Sequence, residues 1–314
     1  MTGVPVFTGR DVKAAVSPER AVEAVREAFV AHARGEWTMP PKVYVTNYPA
    51  GDFRAMPALG GGHALLKWVT SFPGNPPKGL PTVTGVVLVS DAENGQLRAV
   101  LDAAAVTALR TGAAAVLAAE TLGRADATTA AVVGAGVNGQ AAARTFLARG
   151  RTVSLWDVDE RRARRVAEEL GADVAPSLEH ALAADLLVTV TPGNDVLLGE
   201  GALRPGQHVS LMGADGPGKA EASGPELARA HLFCDDWEQA SHGGELAHAV
   251  EVGLVTQEDV TALGDVLAGT ALGRANETEL TAFDSTGLAI QDLAIALVAL
   301  EVAGDDPGLA RLAL

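Results

Sequence analysis

The chain has a single cysteine, Cys234, among 314 residues. That excludes an intrachain disulfide and a cysteine-based metal cluster. Its setting, AHLFCDD, reads as a strand end that buries a small side chain. Histidine does not fill the gap: His242 and His248 miss the one-turn spacing of helical zinc ligands, so no metal site is expected. Positive charge is short as well. Lysine and arginine number 24 against 39 aspartates and glutamates, for a formal net charge of −15. Nucleic acid and anionic lipid both call for a basic face, so neither is an expected partner. Aromatics are only 4% of residues, which suits close helix–sheet packing of small side chains more than a β-sandwich. No run of about 18 uncharged apolar residues occurs, so no membrane span is expected. GLAIQDLAIALVALEVAG comes nearest, but Gln291, Asp292 and Glu301 interrupt it. The N-terminus lacks the basic-then-apolar pattern of a signal peptide, and the expected location is the cytoplasm.

What is present suits two domains of α/β class: a Rossmann-type doubly wound parallel sheet, and a mixed α+β domain. Ser17 and Pro18 open a helix that Gly35 closes. Residues 42–101 then read as strands separated by turns, with Asn94-Gly95 marking a hairpin. After Asp102 comes a small-residue helix ending at Gly123, and strand and helix patterns alternate from there. A last apolar helix, roughly 287–302, follows FDSTG and suits packing on either domain.

The segment AAVVGAGVNGQAAARTF carries Gly134, Gly136 and Gly139 in GxGxxG spacing, after a strand and at the start of a helix. That context predicts a dinucleotide site: a tight turn, close backbone approach to a pyrophosphate, and a helix N-terminus aimed at it. Val137 and Asn138 lie within the loop. Asp157, at the end of the next strand, stands where an acidic group binds ribose hydroxyls, which favours NAD over NADP; Arg161 and Arg162 follow it closely.

Four further places put charge in unusual company. In HALLKWVTSF, strand alternation sets Lys67 on one face with Leu65 and Val69. It is an edge guard against sheet pairing, a stem that snorkels to water, or an ammonium group facing a ligand. Arg110 interrupts an alanine-rich helix. Asp215 and Lys219 lie in LMGADGPGKAE, just past the carboxyl end of a strand, where ligands of open α/β sheets bind. Lys42 opens a strand in MPPKVYV.

Taken in order, MPPKVY, FRAMPAL, LLKWVTSFPGNPPKGLPTV, TALRTGAAA, VVGAGVNGQ, LMGADGPGK, WEQASHGGEL and FDSTGLAIQDLA resemble the ornithine cyclodeaminase/μ-crystallin family. Within it they are most similar to the branch containing archaeal-type alanine dehydrogenase. The resemblance implies a substrate-binding and dimerisation domain over 1–105, completed by 285–314, and an NAD(P)-binding Rossmann domain over 106–284. It implies a homodimer acting on a small L-amino acid or imino acid at the Cα–N bond through an imine. Lys67 then matches the active-site lysine, Arg110 a carboxylate-binding arginine, and Asp215 the catalytic aspartate. Thr111, Thr191, Gly134, Gly136, Val137, Asn138, Gly139 and Asp157 fall at cofactor positions. Lys42 stands where many members carry an arginine that also grips the carboxylate; a lysine is a point charge and cannot form a bidentate fork. The family's chemistry spans amino-acid dehydrogenase, ornithine cyclodeaminase and ketimine reductase, with a crystallin-type NAD(P)H-dependent binding protein as an alternative of another class.

Overall fold

The computed structural model describes residues 3–193, 195–216 and 218–313. Met1, Thr2, Asn194, Pro217 and Leu314, and with them the expected domain limits at 1 and 314, lie outside the described residues. The chain divides into two compact units, Met1–Arg110 with Leu288–Leu314, and Thr111–Gly287. The division falls inside one continuous helix, Ala103–Leu122.

In the first unit the strands are β1 (Val4–Phe7), β2 (Val43–Asn47), β3 (Gly51–Gly60), β4 (His63–Ser71), β5 (Val83–Asp91) and β6 (Leu97–Asp102). With the C-terminal strand Ala310–Leu312 they form, among the described residues, one sheet in the order Ala310–Leu312, β1, β6, β5, β4, β3, β2. β2 to β6 are an antiparallel meander, as the turn signals predict. The Gly95 amide closes the β5–β6 turn on Asp91 O at 2.9 Å. Ser17 caps helix Pro18–Ala33 by accepting the Arg20 amide at 3.2 Å. β1 and helix Gly9–Ala15 are too short for periodicity to reveal, although the Thr8–Asp11 capping box that starts the helix is visible in hindsight.

Helix Ala289–Ala303 packs in this unit, against helix Pro18–Ala33 and against β3 and β4. It is buried on nearly every side, which explains why it reads as uniformly apolar rather than amphipathic. The sheet's two faces differ. Met56, Ala58, Leu65, Val69 and Val87 are buried on one; Val43, Val45, Leu66, Trp68 and Val86 are exposed on the other. On the exposed face Phe53 stacks on Trp68, with ring centroids 5.8 Å apart.

The second unit holds β7 (Thr129–Val133), β8 (Thr152–Trp156), β9 (Asp173–Val174), β10 (Leu186–Thr189), β11 (His208–Leu211), β12 (His231–Cys234), β13 (Val260–Ala262) and β14 (Thr281–Asp284). Their order is β13, β12, β14, β11, β10, β7, β8, β9, all parallel. Helices Val137–Ala148, Glu160–Leu170 and Leu178–Leu182 connect β7 to β10, so the order reverses between β7 and β10. That switch point is where ligands of doubly wound sheets bind. β14 lies between β11 and β12, where the sequence reads only a segment preceding the last helix. Its four residues are all buried, and a strand buried on both faces shows no alternation.

Helix Ala103–Leu122 is long and apolar enough, by length and composition, to cross a membrane, the one such helix among the described residues. Within the protein 83% of its most apolar window is buried, which accounts for its composition as core packing.

Candidate active site

The glycine motif occupies the turn between β7 and helix Val137–Ala148. Gly134 has φ +106°, a backbone state L side chains avoid. A Cβ on Gly139 would collide with the Gly134 carbonyl, so this residue sets how closely the helix packs on the strand. A Cβ on Gly136 would meet nothing within 4 Å among the described residues. The helix begins at Gly136 with no side-chain cap, leaving its first turn open to a pyrophosphate; Val137, at 64% exposure, borders the opening. The loop after β10 lies alongside: a Cβ on Gly134 would sit 2.7 Å from Val190 O and 3.5 Å from the Thr191 side chain. The buried Thr111 hydroxyl has no hydrogen-bond partner among the described residues.

Asp157 is 8% exposed just past β8. Its Oδ2 accepts the Ala135 amide at 2.8 Å and its Oδ1 the Asp159 amide at 2.8 Å. Arg162 Nη1 stands 3.4 Å from Oδ2. An acidic group fixed to the glycine loop itself suits ribose hydroxyls, and the residues present fit a dinucleotide.

Asp215 follows β11 in the loop at the sheet's carboxyl edge. It is half-buried and accepts from Lys219 Nζ at 2.5 Å. Six residues further along the chain is a buried carboxylate that sequence reading missed, Glu221. Glu221 binds Thr189, Thr191 and Gly213 and has its own amide held by Glu245 Oε1 at 2.7 Å. Burial pushes the Glu245 carboxyl up to about 8, with the negative Glu221 adding to the rise. Its Oε2 has no partner among the described residues.

In the first unit β4 is an interior strand between β3 and β5, which removes the edge-guard reading of Lys67. The side chain is buried at 1% exposure. Nζ donates to both oxygens of Asp292, at 2.9 and 3.1 Å. Arg110 Nε lies 3.6 Å from Asp292 Oδ1, beyond hydrogen-bond reach. That Nε is buried with no hydrogen-bond acceptor among the described residues. Burial lowers the Lys67 pKa to about 8; Asp292 opposes the drop, and Arg110 and Arg54 add to it.

Arg54, within FRAMPAL, is a further cation that the sequence pattern does not mark as a site residue. It is buried on β3, with Nε 2.6 Å from Asp52 Oδ1 and its guanidinium carbon 5.3 Å from the Tyr44 ring centre. Lys42 is half-buried just before β2. Asp292 was also missed as a site residue, although a carboxylate inside a fifteen-residue apolar helix was the signal for it.

A parallel sheet with a glycine turn at its switch point, and a buried cationic cluster, define a Rossmann-type enzyme of the dinucleotide-dependent class. The family model of the ornithine cyclodeaminase/mu-crystallin family matches residues 5–305, and the chain belongs to that family. It is 43% identical to alanine dehydrogenase of Archaeoglobus fulgidus over 94% of each chain. It is 34% identical to Delta(1)-pyrroline-2-carboxylate reductase of Paracoccus denitrificans, covering 91% of this chain and 93% of that one. A solved archaeal alanine dehydrogenase dimer with bound NAD superposes with TM-score 0.93 at 40% identity, over 99% of both chains.

Proposed function

We propose that the protein is an NAD-dependent amino-acid dehydrogenase acting at the Cα–N bond of a small L-amino acid, with L-alanine the first candidate. One observation carries the reading. Buried Lys67 and half-buried Arg110 share a single buried carboxylate, Asp292, and the buried Arg110 Nε still lacks an acceptor among the described residues. A buried cation keeps its charge only with a partner, and the carboxylate of an amino acid supplies the missing one. The relatives' names, alanine dehydrogenase and an imine reductase, support the same bond as the place of reaction.

In this reading Lys67 and Arg110 hold the substrate carboxylate, with Lys42 a further candidate and Arg54 adding positive potential. Gly134, Gly136, Val137, Asn138, Gly139, Asp157, Thr111 and Thr191 would hold the dinucleotide. Bound NAD supplies a two-electron hydride acceptor. Asp215 takes the proton from the substrate ammonium, so that the nitrogen lone pair can form the C=N bond as the Cα hydride leaves. Water then adds to the imine carbon, Asp215 moving a proton from that water to nitrogen, and the C–N bond breaks to release ammonia as the C–O bond becomes C=O. Run backwards on a cyclic imine, the same groups give a reductase, the reading the Paracoccus relative favours.

The exposed apolar face of β2 to β5 supports a homodimer built on it, since patches of this kind mark association surfaces. The single buried Cys234, whose thiol burial pushes well above its ordinary range, suits a reducing, cytoplasmic setting.

The test is a screen of small L-amino acids, oxo acids and cyclic imines, following NADH absorbance and ammonia together. NADH and ammonia rising in step support the dehydrogenase. Ammonia without net NADH identifies cyclodeamination, and NADH consumed with a cyclic imine identifies the reductase. Tight NADH binding with no turnover identifies a binding protein.

A further inference from the structure

Glu221 is fully buried, and its carboxylate has no spare capacity. Oε1 accepts the amide and the hydroxyl of Thr191, both at 2.7 Å. Oε2 accepts the Thr189 hydroxyl at 2.7 Å and the Gly213 amide at 2.9 Å. Its main-chain oxygen takes the amides of Leu197 and Leu198 at 2.7 and 2.9 Å. The fit is close enough that a Cβ on Gly213 would collide with the Glu221 carboxylate.

Thr189 ends β10, Thr191 lies in the loop that follows it, and Gly213 lies in the loop that follows β11 and carries Asp215. Asp215 is two residues beyond Gly213, and its Lys219 partner is two residues before Glu221. An apolar residue would leave four donors empty, those of Thr189 and Gly213 fully buried, and an amide would offer donors to donors. Only an ionised carboxylate satisfies all four at once.

We infer that Glu221 is a positioning residue that fixes the cofactor loop at Thr191 and the acid/base loop at Asp215 in one arrangement. The inference rests on the proposed dehydrogenase reading for its turnover arm alone. The carboxylate's partners, Thr189, Thr191 and Gly213, all belong to the second unit. Losing the clamp should therefore act on dinucleotide affinity and on turnover, and spare the amino-acid KM, whose proposed anchors are Lys67 and Arg110.

The experiment uses the full chain. Glu221→Gln keeps the volume and reverses the polarity at one oxygen. Its NADH dissociation constant, read by quenching of protein fluorescence, should rise about tenfold, the scale of losing a charge-assisted hydrogen bond. kcat should fall about tenfold or more, as a displaced catalytic loop does, with the amino-acid KM nearly unchanged. Thr189→Val removes one donor to Glu221 from a buried strand end. It should weaken NADH binding about threefold alone and add almost nothing in the Glu221→Gln background, because both act through one bond.

A folded Glu221→Gln protein with NADH affinity and kcat near wild type overturns the inference, as does an additive double variant. A rise confined to the amino-acid KM also overturns it. Should Glu221→Gln fail to fold, Thr189→Val decides, and unchanged NADH affinity refutes the clamp. A wild-type chain that binds NADH but oxidises no amino acid defeats the proposed function, while the NADH arm still tests Glu221.

Discussion

Lys67 Nζ lies 2.9 and 3.1 Å from the two carboxylate oxygens of Asp292, although 225 residues separate the pair in the chain. The pair is essentially dry, with side-chain exposures of 1% and 0%. Removing one partner of a buried pair leaves the other charge uncompensated. Asp292→Asn should therefore destabilise the protein by about 3–5 kcal/mol, read by urea unfolding. A loss below about 1 kcal/mol would show that the pair is not held as described.

Lys67 also sets a pH dependence. Burial lowers its pKa to about 8 from 10.5, so it carries a proton below that value and loses it above. If it anchors the substrate carboxylate, the KM for a 2-oxo acid at saturating ammonia should rise as pH passes about 8. Lys67→Arg, which stays charged, should remove that limb even if it binds less well. A KM flat through this range would exclude the ammonium as an anchor. For folding, the lowered pKa means that the cost of burying the charge is present below about 8 and is relieved as pH rises toward 10.5.

Asp215→Asn should lower turnover by about 10²-fold, the usual scale for an acid/base group. NADH affinity should be nearly kept, because the carboxylate is not among the groups proposed to hold the dinucleotide. Stopped-flow binding and steady-state rates on one preparation separate the two effects. Turnover near wild type would remove Asp215 from the chemistry.

Asp157→Ser should raise the KM for NADH more than that for NADPH, since a carboxylate beside the ribose repels a 2′-phosphate. Arg162 stands 3.4 Å from this carboxylate and is freed to meet a phosphate in the variant. The ratio of the two KM values is the readout, and an unchanged ratio counts against the ribose role.

Glu245 supplies a test of stability. Its carboxyl is pushed up to about 8 by burial and by Glu221, from an ordinary 4.5. A raised folded pKa gives stability that is full below the ordinary value and is lost as pH rises through about 8. Thermal unfolding followed across this window should show that decline in the wild type. Glu245→Gln should show a shallower one, with Asp284, also pushed upward by burial, providing what remains. Equal slopes would mean that Glu245 is ionised in the fold at all these values.

What was legible in the sequence was local. Ser17-Pro18, Asn94-Gly95 and the three glycines each announce themselves within a few residues, and backbone geometry follows from them directly. Lys67 could be seen to be misplaced among Leu65 and Val69, but its partner could not. Asp292 reads as a flaw in an apolar helix until that helix is laid against β4. Glu221 was hidden for another reason: its ligands are main-chain amides and two threonines, which no side-chain pattern signals. β14 was hidden because a four-residue strand with every side chain buried carries no period at all.

The last helix and the C-terminal strand belong with the first hundred residues, yet the chain makes the whole of Thr111–Gly287 in between. On a ribosome, β3 and β4 therefore wait with Lys67 still in water until the helix bearing Asp292 has emerged. Contacts of such long sequence separation form slowly, and a partly made sheet exposes apolar surface meanwhile. The ammonium that ends at 1% exposure thus spends synthesis as a hydrated lysine.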